Sequence, residues 1–119
     1  MKFFTVFFIM IALFYSTNVH AVTVHCVNVK IKSFFVNGNR DDGRDSQNSM
    51  LLKFELNNGN PYNCGGKEYA YIKNTSSDYK AMLAMAMYAY ANDLLLTVAV
   101  NDSNTISIAH ELAYIAFEK

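Results

Sequence analysis

The chain has 119 residues, 52% of them hydrophobic, and a formal net charge of zero from ten basic and ten acidic side chains. This length predicts one domain, and the balanced charge excludes the strongly basic surface typical of nucleic-acid-binding proteins. Aromatic residues make up 14% of the chain, which is enough apolar surface for a folded core and excludes a disordered protein.

The N-terminal segment has the pattern of a secretory signal peptide. An early lysine precedes an uninterrupted apolar run over residues 3–15, and Val19 and Ala21 place small residues where signal peptidase reads them. The apolar run is shorter than the roughly 20 residues needed to span a bilayer. We therefore expect residues 1–21 to be removed. Residues 22–119 are then expected to fold as a single small domain, secreted or periplasmic, with no membrane span after cleavage.

Two cysteines, Cys26 and Cys64, remain in the mature chain. In an oxidising compartment we expect them to pair with each other, the alternative being two free thiols or an intermolecular bridge. An intramolecular bridge would close a loop of about 39 residues and stabilise the fold by roughly 4 kcal/mol in the chain-entropy model. That contribution is a large share of the stability of a domain this small.

The first half of the mature chain predicts three strands. Residues 22–36 are rich in Val, Ile and Phe, residues 50–56 alternate in polarity, and residues 68–73 form a shorter third run. Between the first two, residues 37–49 contain no apolar side chain and predict a solvated connection. The Asn- and Gly-rich residues 57–61 predict a turn, because both residue types tolerate positive φ.

A helix is predicted over residues 79–91. The preceding residues 75–78 offer hydroxyl and carboxylate groups for capping, and the segment itself contains no Gly, Pro or β-branched residue. Asn92 is expected to end the helix as a left-handed cap.

Strand character returns after the helix. Residues 94–100 predict a fourth strand, residues 102–104 a turn, and residues 105–117 a bent fifth strand, although part of the last segment also suits a helix. The order of three strands, one helix and two strands predicts a mainly β, α+β fold. Two architectures agree with it, a small five-stranded OB-like barrel or an open antiparallel sheet with the helix across one face.

The helix is apolar around its whole circumference. The expected core face consists of Tyr79, Leu83, Ala86 and Tyr90, and the expected second stripe of Met82, Met85 and Ala89. The second stripe predicts an interface with another subunit, because exposed apolar patches of this kind mark association surfaces. The alternative is that the domain packs this stripe into its own core.

No pattern in the sequence predicts catalysis, a cofactor or a metal. His110 begins a sequence that resembles the zinc-protease motif HExxH, but Tyr114 stands where the second histidine is required. His110 is therefore expected at the barrel surface or an interface. No Ser, His and Asp set and no Gly-rich phosphate loop has a recognisable signature, so we expect the protein not to be an enzyme.

The polar connection after the first strand has oxygen-bearing side chains at alternate positions, as calcium loops do. Its Gly43 comes one place late, and Asn48 stands where a bidentate glutamate is required. We therefore interpret residues 37–49 as a solvated loop in which Arg40 and Arg44 neutralise the acids.

Residues 24–102 resemble a group of small secreted bacterial proteins of uncharacterised role. They share a cysteine before a strand, a helix of the form YKAMLAMAMYAYAND and an apolar strand like LLTVAV. The layout is similar to the receptor-binding B subunits of subtilase-type and pertussis-like AB toxins, which are OB-folds that assemble as pentamers and bind cell-surface glycans.

This resemblance implies a secreted, non-enzymatic binding module that forms a homo-oligomer and recognises a cell-surface glycan or protein. The alternative is a periplasmic inhibitor or accessory subunit that binds a single protein partner. Because rigid scaffolds present ligand-binding groups on loops, the loop at residues 57–63 is the expected ligand site.

Overall fold

The structure, a computed structural model, describes residues 21–118. The expected signal peptide, apart from Ala21, lies outside the described residues. In chain order the elements are β1 (Thr23–Asn37), β2 (Ser49–Leu56), β3 (Pro61–Tyr62), β4 (Tyr69–Lys73), α1 (Tyr79–Ala91), β5 (Leu96–Ile106) and β6 (Ala109–Ala116). None of the helices within residues 21–118 has the length and apolar character needed to cross a membrane.

The strands form one mixed sheet in the order β1-β5-β6-β4-β2-β3, and β1 pairs with β2 as well as with β5. All pairings are antiparallel except that between β4 and β6. The predicted α+β class, mainly β with one helix, is confirmed. The sheet has six strands where five were predicted, because Pro61 and Tyr62 fold back onto β2 and form a two-residue strand.

The disulfide between Cys26 and Cys64 is present, as predicted. Both cysteines are buried, and the bond joins β1 to a short 3-10 turn, Cys64–Gly66, that precedes β4. The bridge therefore links the first part of β1 to a short segment outside the regular strands. In the chain-entropy model it contributes about 4 kcal/mol to stability.

The helix has the predicted bounds, but its end is formed differently. Asn92 has φ −104°, and the left-handed residue is Asp93, at φ 51°. The Asp93 carboxylate accepts a hydrogen bond of 2.8 Å from Lys30 Nζ on β1. Asp tolerates left-handed backbone better than most residues do, and this ion pair holds it against the sheet.

β5 extends six residues beyond the predicted strand, to Ile106. Residues 102–104, predicted as a turn, lie within it, at a register shift between Asn101 and Thr105 in its pairing with β6. The polar side chains of this segment are exposed and therefore mark an irregularity in the strand. The turn follows at Ser107 and Ile108, and β6 is a strand throughout.

The main core lies between the sheet and α1. It is built from alternate residues of the strands, since successive side chains of a strand point to opposite faces. Its largest fully buried side chains are Phe54, Met50, Leu52, Leu96, Val29, Val98 and Val100.

The helix buries residues of both predicted stripes, and Tyr79 and Leu83 of the expected core face are half-buried against the core. Met82, Ala86 and Ala89 are buried in the core, Met85 is half-buried against it, and Tyr90 is 51% exposed. Small alanine side chains let the helix backbone approach the sheet closely, whereas tyrosine keeps its hydroxyl in water. Met82, Met85 and Ala89 thus pack against the core of the domain, which is the alternative that the sequence left open for this stripe.

Replacing Ala86 by leucine should test which face is buried. Because Ala86 is fully buried, the added atoms should lower the free energy of unfolding by about 1–3 kcal/mol. Ala84→Leu, at an exposed position of the same helix, should change it by no more than about 0.5 kcal/mol. Urea denaturation of both variants measures the difference, and equal effects would contradict the observed packing.

Candidate functional site

An open cleft of about 170 Å³ lies on the outer side of the sheet. It is lined by Phe35, Asn37, Arg40, Arg44, Ser46, Leu51, Tyr69 and Ile108. These residues come from β1, β2 and β4, from the loop between β1 and β2, and from the turn between β5 and β6. The cleft is therefore assembled by the sheet pairing, and no single segment of the chain defines it.

A second, smaller apolar cluster forms the base of this region. Leu51, Tyr71 and Ala109 are buried in it, and Tyr69 and Ile108 pack against them. Burial raises the pKa of the Tyr71 hydroxyl, and the negative charges of Glu111 and Asp45 raise it further. The outer face of the sheet is thus apolar here, and the cleft has an apolar floor.

Two aromatic rings form one wall of the cleft. Phe35 is 46% exposed, and its ring lies edge-on to Tyr69, with 6.1 Å between ring centroids and an interplanar angle of 67°. On the other side of Tyr69, Lys53 Nζ lies 5.8 Å from the ring centroid and donates a 2.6 Å hydrogen bond to Glu68. The Glu68 carboxylate raises the pKa of Lys53, so the ammonium stays charged beside the ring.

Two arginines also line the cleft, and they share one carboxylate. Arg40 Nε donates to Asp42 at 3.0 Å, and Arg44 Nε lies 3.9 Å from the same side chain. The hydrogen bond from Arg40 holds the pKa of Asp42 below its usual range, and Asp42 in turn raises the pKa of Arg40. One carboxylate cannot neutralise two guanidinium groups. The Arg44 side chain, 66% exposed, therefore offers a positive charge and hydrogen-bond donors at the rim.

The arginine-bearing loop, residues 38–48, is fastened to the sheet at its base. Asp45 accepts hydrogen bonds from the Ser107 backbone N–H at 2.8 Å and from its hydroxyl at 2.9 Å. Lys73 donates to the Gln47 carbonyl at 2.8 Å, and the Asn74 N–H donates to the Asn48 carbonyl at 2.8 Å. These contacts hold the loop in place before any ligand arrives, which reduces the entropy cost of binding.

The acidic residues of this loop do not form a shared metal site. Asp42 faces two arginines and Asp45 faces Ser107. Over the part of the chain that the structure describes, no three His, Cys, Asp or Glu side chains come together in a way that could hold a metal ion. The pairing of Arg40 with Asp42 agrees with the interpretation that arginines of this loop neutralise its acids, whereas Asp45 is held by Ser107 and Arg44 remains largely exposed.

His110 is buried, with 8% of its surface exposed. It was expected at the barrel surface or an interface. Its Nε2 lies 3.0 Å from the Gly65 carbonyl oxygen, and its Nδ1 lies 2.6 Å from Thr105 Oγ1. Gly65 has φ +70°, and a Cβ there would lie 3.0 Å from His110 Cδ2 and 3.1 Å from Val100 Cγ2. Because a carbonyl only accepts, Nε2 must be the donor in the first contact, and His110 fastens the disulfide turn to β6.

The loop at residues 57–63, the expected ligand site, lies at the opposite end of β2 from the cleft. Glu55 and Phe54 pair there with Pro61 and Tyr62, whereas Leu51 lines the cleft. Sequence reasoning missed the cleft, because Phe35 and Tyr69 belong to strands whose outward-facing positions usually carry polar side chains. The exposed aromatics among those positions were the available signal.

Comparison with known proteins finds no family model that matches the chain and no curated protein with significant sequence similarity to it.

The link between Asp45 and Ser107 predicts an acid-sensitive loop. The two hydrogen bonds from Ser107 hold the pKa of Asp45 below its usual value, so the carboxylate stabilises the fold above the unfolded pKa of about 3.9. That stabilisation is lost as the pH falls through the lower, folded-state pKa. The unfolding free energies of wild type and Asp45→Asn should therefore differ at pH 7 and converge in acid. Urea titrations from pH 7 to 2.5 measure this, with Asp41→Asn as a control for removing a charge from the loop. A difference that persists at the lowest pH would contradict the link.

Proposed function

We propose that the protein is a secreted, non-enzymatic binding module of OB-like fold that recognises a cell-surface glycan through the cleft between Phe35, Tyr69 and Arg44. The observation that carries the proposal is an aromatic pair, with Phe35 exposed and Tyr69 half-buried, beside an arginine-bearing loop that hydrogen bonds fasten to the sheet. A half-exposed ring presents a flat apolar surface, and guanidinium, amide and hydroxyl groups present donors and acceptors around it. Together these groups complement a sugar ring, which has apolar faces and a polar rim.

The strand pairing supports an OB-like barrel. β1 pairs with both β2 and β5, so the series β1, β2, β4, β6, β5 returns to β1. The helix lies between the third and fourth of these strands in chain order. In five-stranded barrels of this kind, the face formed by the second and third strands, with the adjoining loops, is the usual place for oligosaccharides or oligonucleotides. The cleft lies at that place.

Charge favours a sugar over a nucleic acid. Binding to a phosphate backbone relies on several Lys and Arg side chains that neutralise phosphates together. The chain has a formal net charge of zero, and one of the two arginines at the cleft is paired with Asp42. A neutral or weakly charged ligand suits this arrangement better.

Loss of the exposed ring should weaken glycan binding. Phe35→Ala should reduce the affinity for any glycan bound on an array by about fivefold, because aromatic contact contributes on the order of 1 kcal/mol. Val36→Ala is the matched control, since Val36 is the next residue and is exposed but does not line the cleft. Absence of glycan binding by the wild type, or equal binding by Phe35→Ala, would contradict the proposal.

A specific surface feature favours a second candidate, a periplasmic inhibitor or accessory subunit that binds one protein partner. Met87, Tyr88 and Phe117 are all exposed, and the rings of Tyr88 and Phe117 lie with centroids 5.8 Å apart. We call these three residues, two on α1 and one directly after β6, the outer helix face. Aromatic and Met side chains are enriched at protein interfaces.

The two candidates can be separated by parallel pull-downs from periplasmic extract. If a protein partner binds the outer helix face, Tyr88→Ser should lose the captured protein, while Phe35→Ala should retain it. Lys80→Ser, at an exposed position of the same helix, is the control and should also retain it. A partner that all three variants retain would exclude the outer helix face as its site.

A further inference from the structure

Val22, the residue before β1, is held at both of its main-chain groups by Asp102 on β5. The Val22 nitrogen donates to Asp102 Oδ1 at 2.8 Å, and the Asp102 backbone N–H donates to the Val22 carbonyl at 3.1 Å. The next residue, Thr23, pairs with Asn101 in the sheet and donates to its side chain at 3.0 Å. The ordered pairing of β1 with β5 thus begins at Val22.

Val22 is also the residue that the expected cleavage after Ala21 would place at the N-terminus. In the uncut chain its nitrogen is a neutral amide with one hydrogen to donate. After hydrolysis of the Ala21–Val22 peptide bond, in which water supplies the new carboxyl oxygen and a proton, the same nitrogen becomes an α-amino group. With an ordinary pKa near 7.7–8.0, that group is mostly an ammonium at neutral pH.

We propose that cleavage between Ala21 and Val22 creates an ion pair between the new Val22 ammonium and the Asp102 carboxylate, which fastens the start of β1 to β5. The donor nitrogen already lies within hydrogen-bonding distance of the carboxylate, so the pair requires no rearrangement. A charged donor makes a stronger hydrogen bond to a carboxylate than a neutral amide does. Processing at this position therefore strengthens a contact that the fold already makes, and it does so independently of the cleft.

The other titratable groups that hydrogen bonds link to this contact, Glu111 and His110, are both on β6. Glu111 Oε1 accepts hydrogen bonds from Asn101 at 3.3 Å and from Asn104 at 3.1 Å. His110 is reached through Thr105, whose hydroxyl also contacts the Asp102 carbonyl at 3.1 Å. Glu111 is linked to this region through Asn101, which also accepts the hydrogen bond from Thr23, and its negative charge favours the ammonium. A change at Asp102 must therefore be compared with a change that leaves these neighbours in place.

The negative charge of Asp102 determines how the stability contributed by the ion pair depends on pH. An ammonium that gains a carboxylate has a raised pKa in the folded state, so the pair contributes its full stability below the unfolded pKa. That contribution is lost as the pH rises through the folded-state pKa. Because the contact is exposed, we expect the pKa of the α-amino group to be only slightly higher than in a chain without the pair.

The first test is to express the full chain with its own first 21 residues in a bacterial secretion host and to determine the N-terminus of the exported product by intact mass. The proposal requires a product that begins at Val22. A product that begins at any other residue would overturn it.

The second test is the pKa of the α-amino group, measured from the Val22 ¹³Cα chemical shift against pH. It should be higher in the wild type than in Asp102→Asn, and Asp78→Asn, a distant exposed control, should match the wild type. A wild-type chain extended by one glycine before Val22 keeps Asp102 but moves the ammonium one residue away, and its pKa should resemble that of Asp102→Asn. This comparison remains decisive even if Asp102→Asn does not fold. Equal pKa values in the wild-type and extended chains would overturn the proposal.

Discussion

The fold depends on one long strand that serves two partners. β1 pairs with β5 through its first residues and with β2 through its later ones. The change occurs at a register shift between Cys26 and Val29, where Asn28 has φ 55°. Such a bulge bends a strand and increases its twist. The bend directs the end of β1 toward β2, and the disulfide at Cys26 fixes the strand just before the bend.

The cleft is a consequence of that arrangement together with alternation. Inward residues of β1, β2 and β4 build the main core, so the residues between them must point outward. Here several of those outward residues are apolar or aromatic. They form a second apolar face that the arginine-bearing loop covers only in part. Asp45 and Lys73 hold the loop over one part of that face, and Phe35 remains open beside it. The sheet thus carries the main core on one side and the cleft on the other.

Features determined by local chemistry could be predicted from the sequence, and those determined by assembly could not. The bounds of α1 follow from an uninterrupted run of helix-forming residues, although Asp78 before it makes no side-chain capping hydrogen bond. The Cys26–Cys64 bond follows from there being two cysteines. The buried face of α1 could not be derived, because Ala and Met surround the helix and its periodicity marks no face. The cleft could not be derived either, since its lining comes from three separate stretches of the chain, residues 35–51, Tyr69 and Ile108. Residues 102–104 are polar and therefore predicted a turn. The sequence does not show that they continue β5 as an irregular, exposed part of the strand.

The contact between Gly65 and His110 limits which amino-acid changes this chain can accept. A side chain at position 65 would have to displace the imidazole and would also need a left-handed backbone, which only glycine adopts without strain. The histidine, in turn, needs the carbonyl that this close approach provides. The two positions are therefore coupled. Homologous sequences that keep the histidine should also keep the glycine, whereas a change at either one should be accompanied by a change at the other, although 45 positions separate them in the chain.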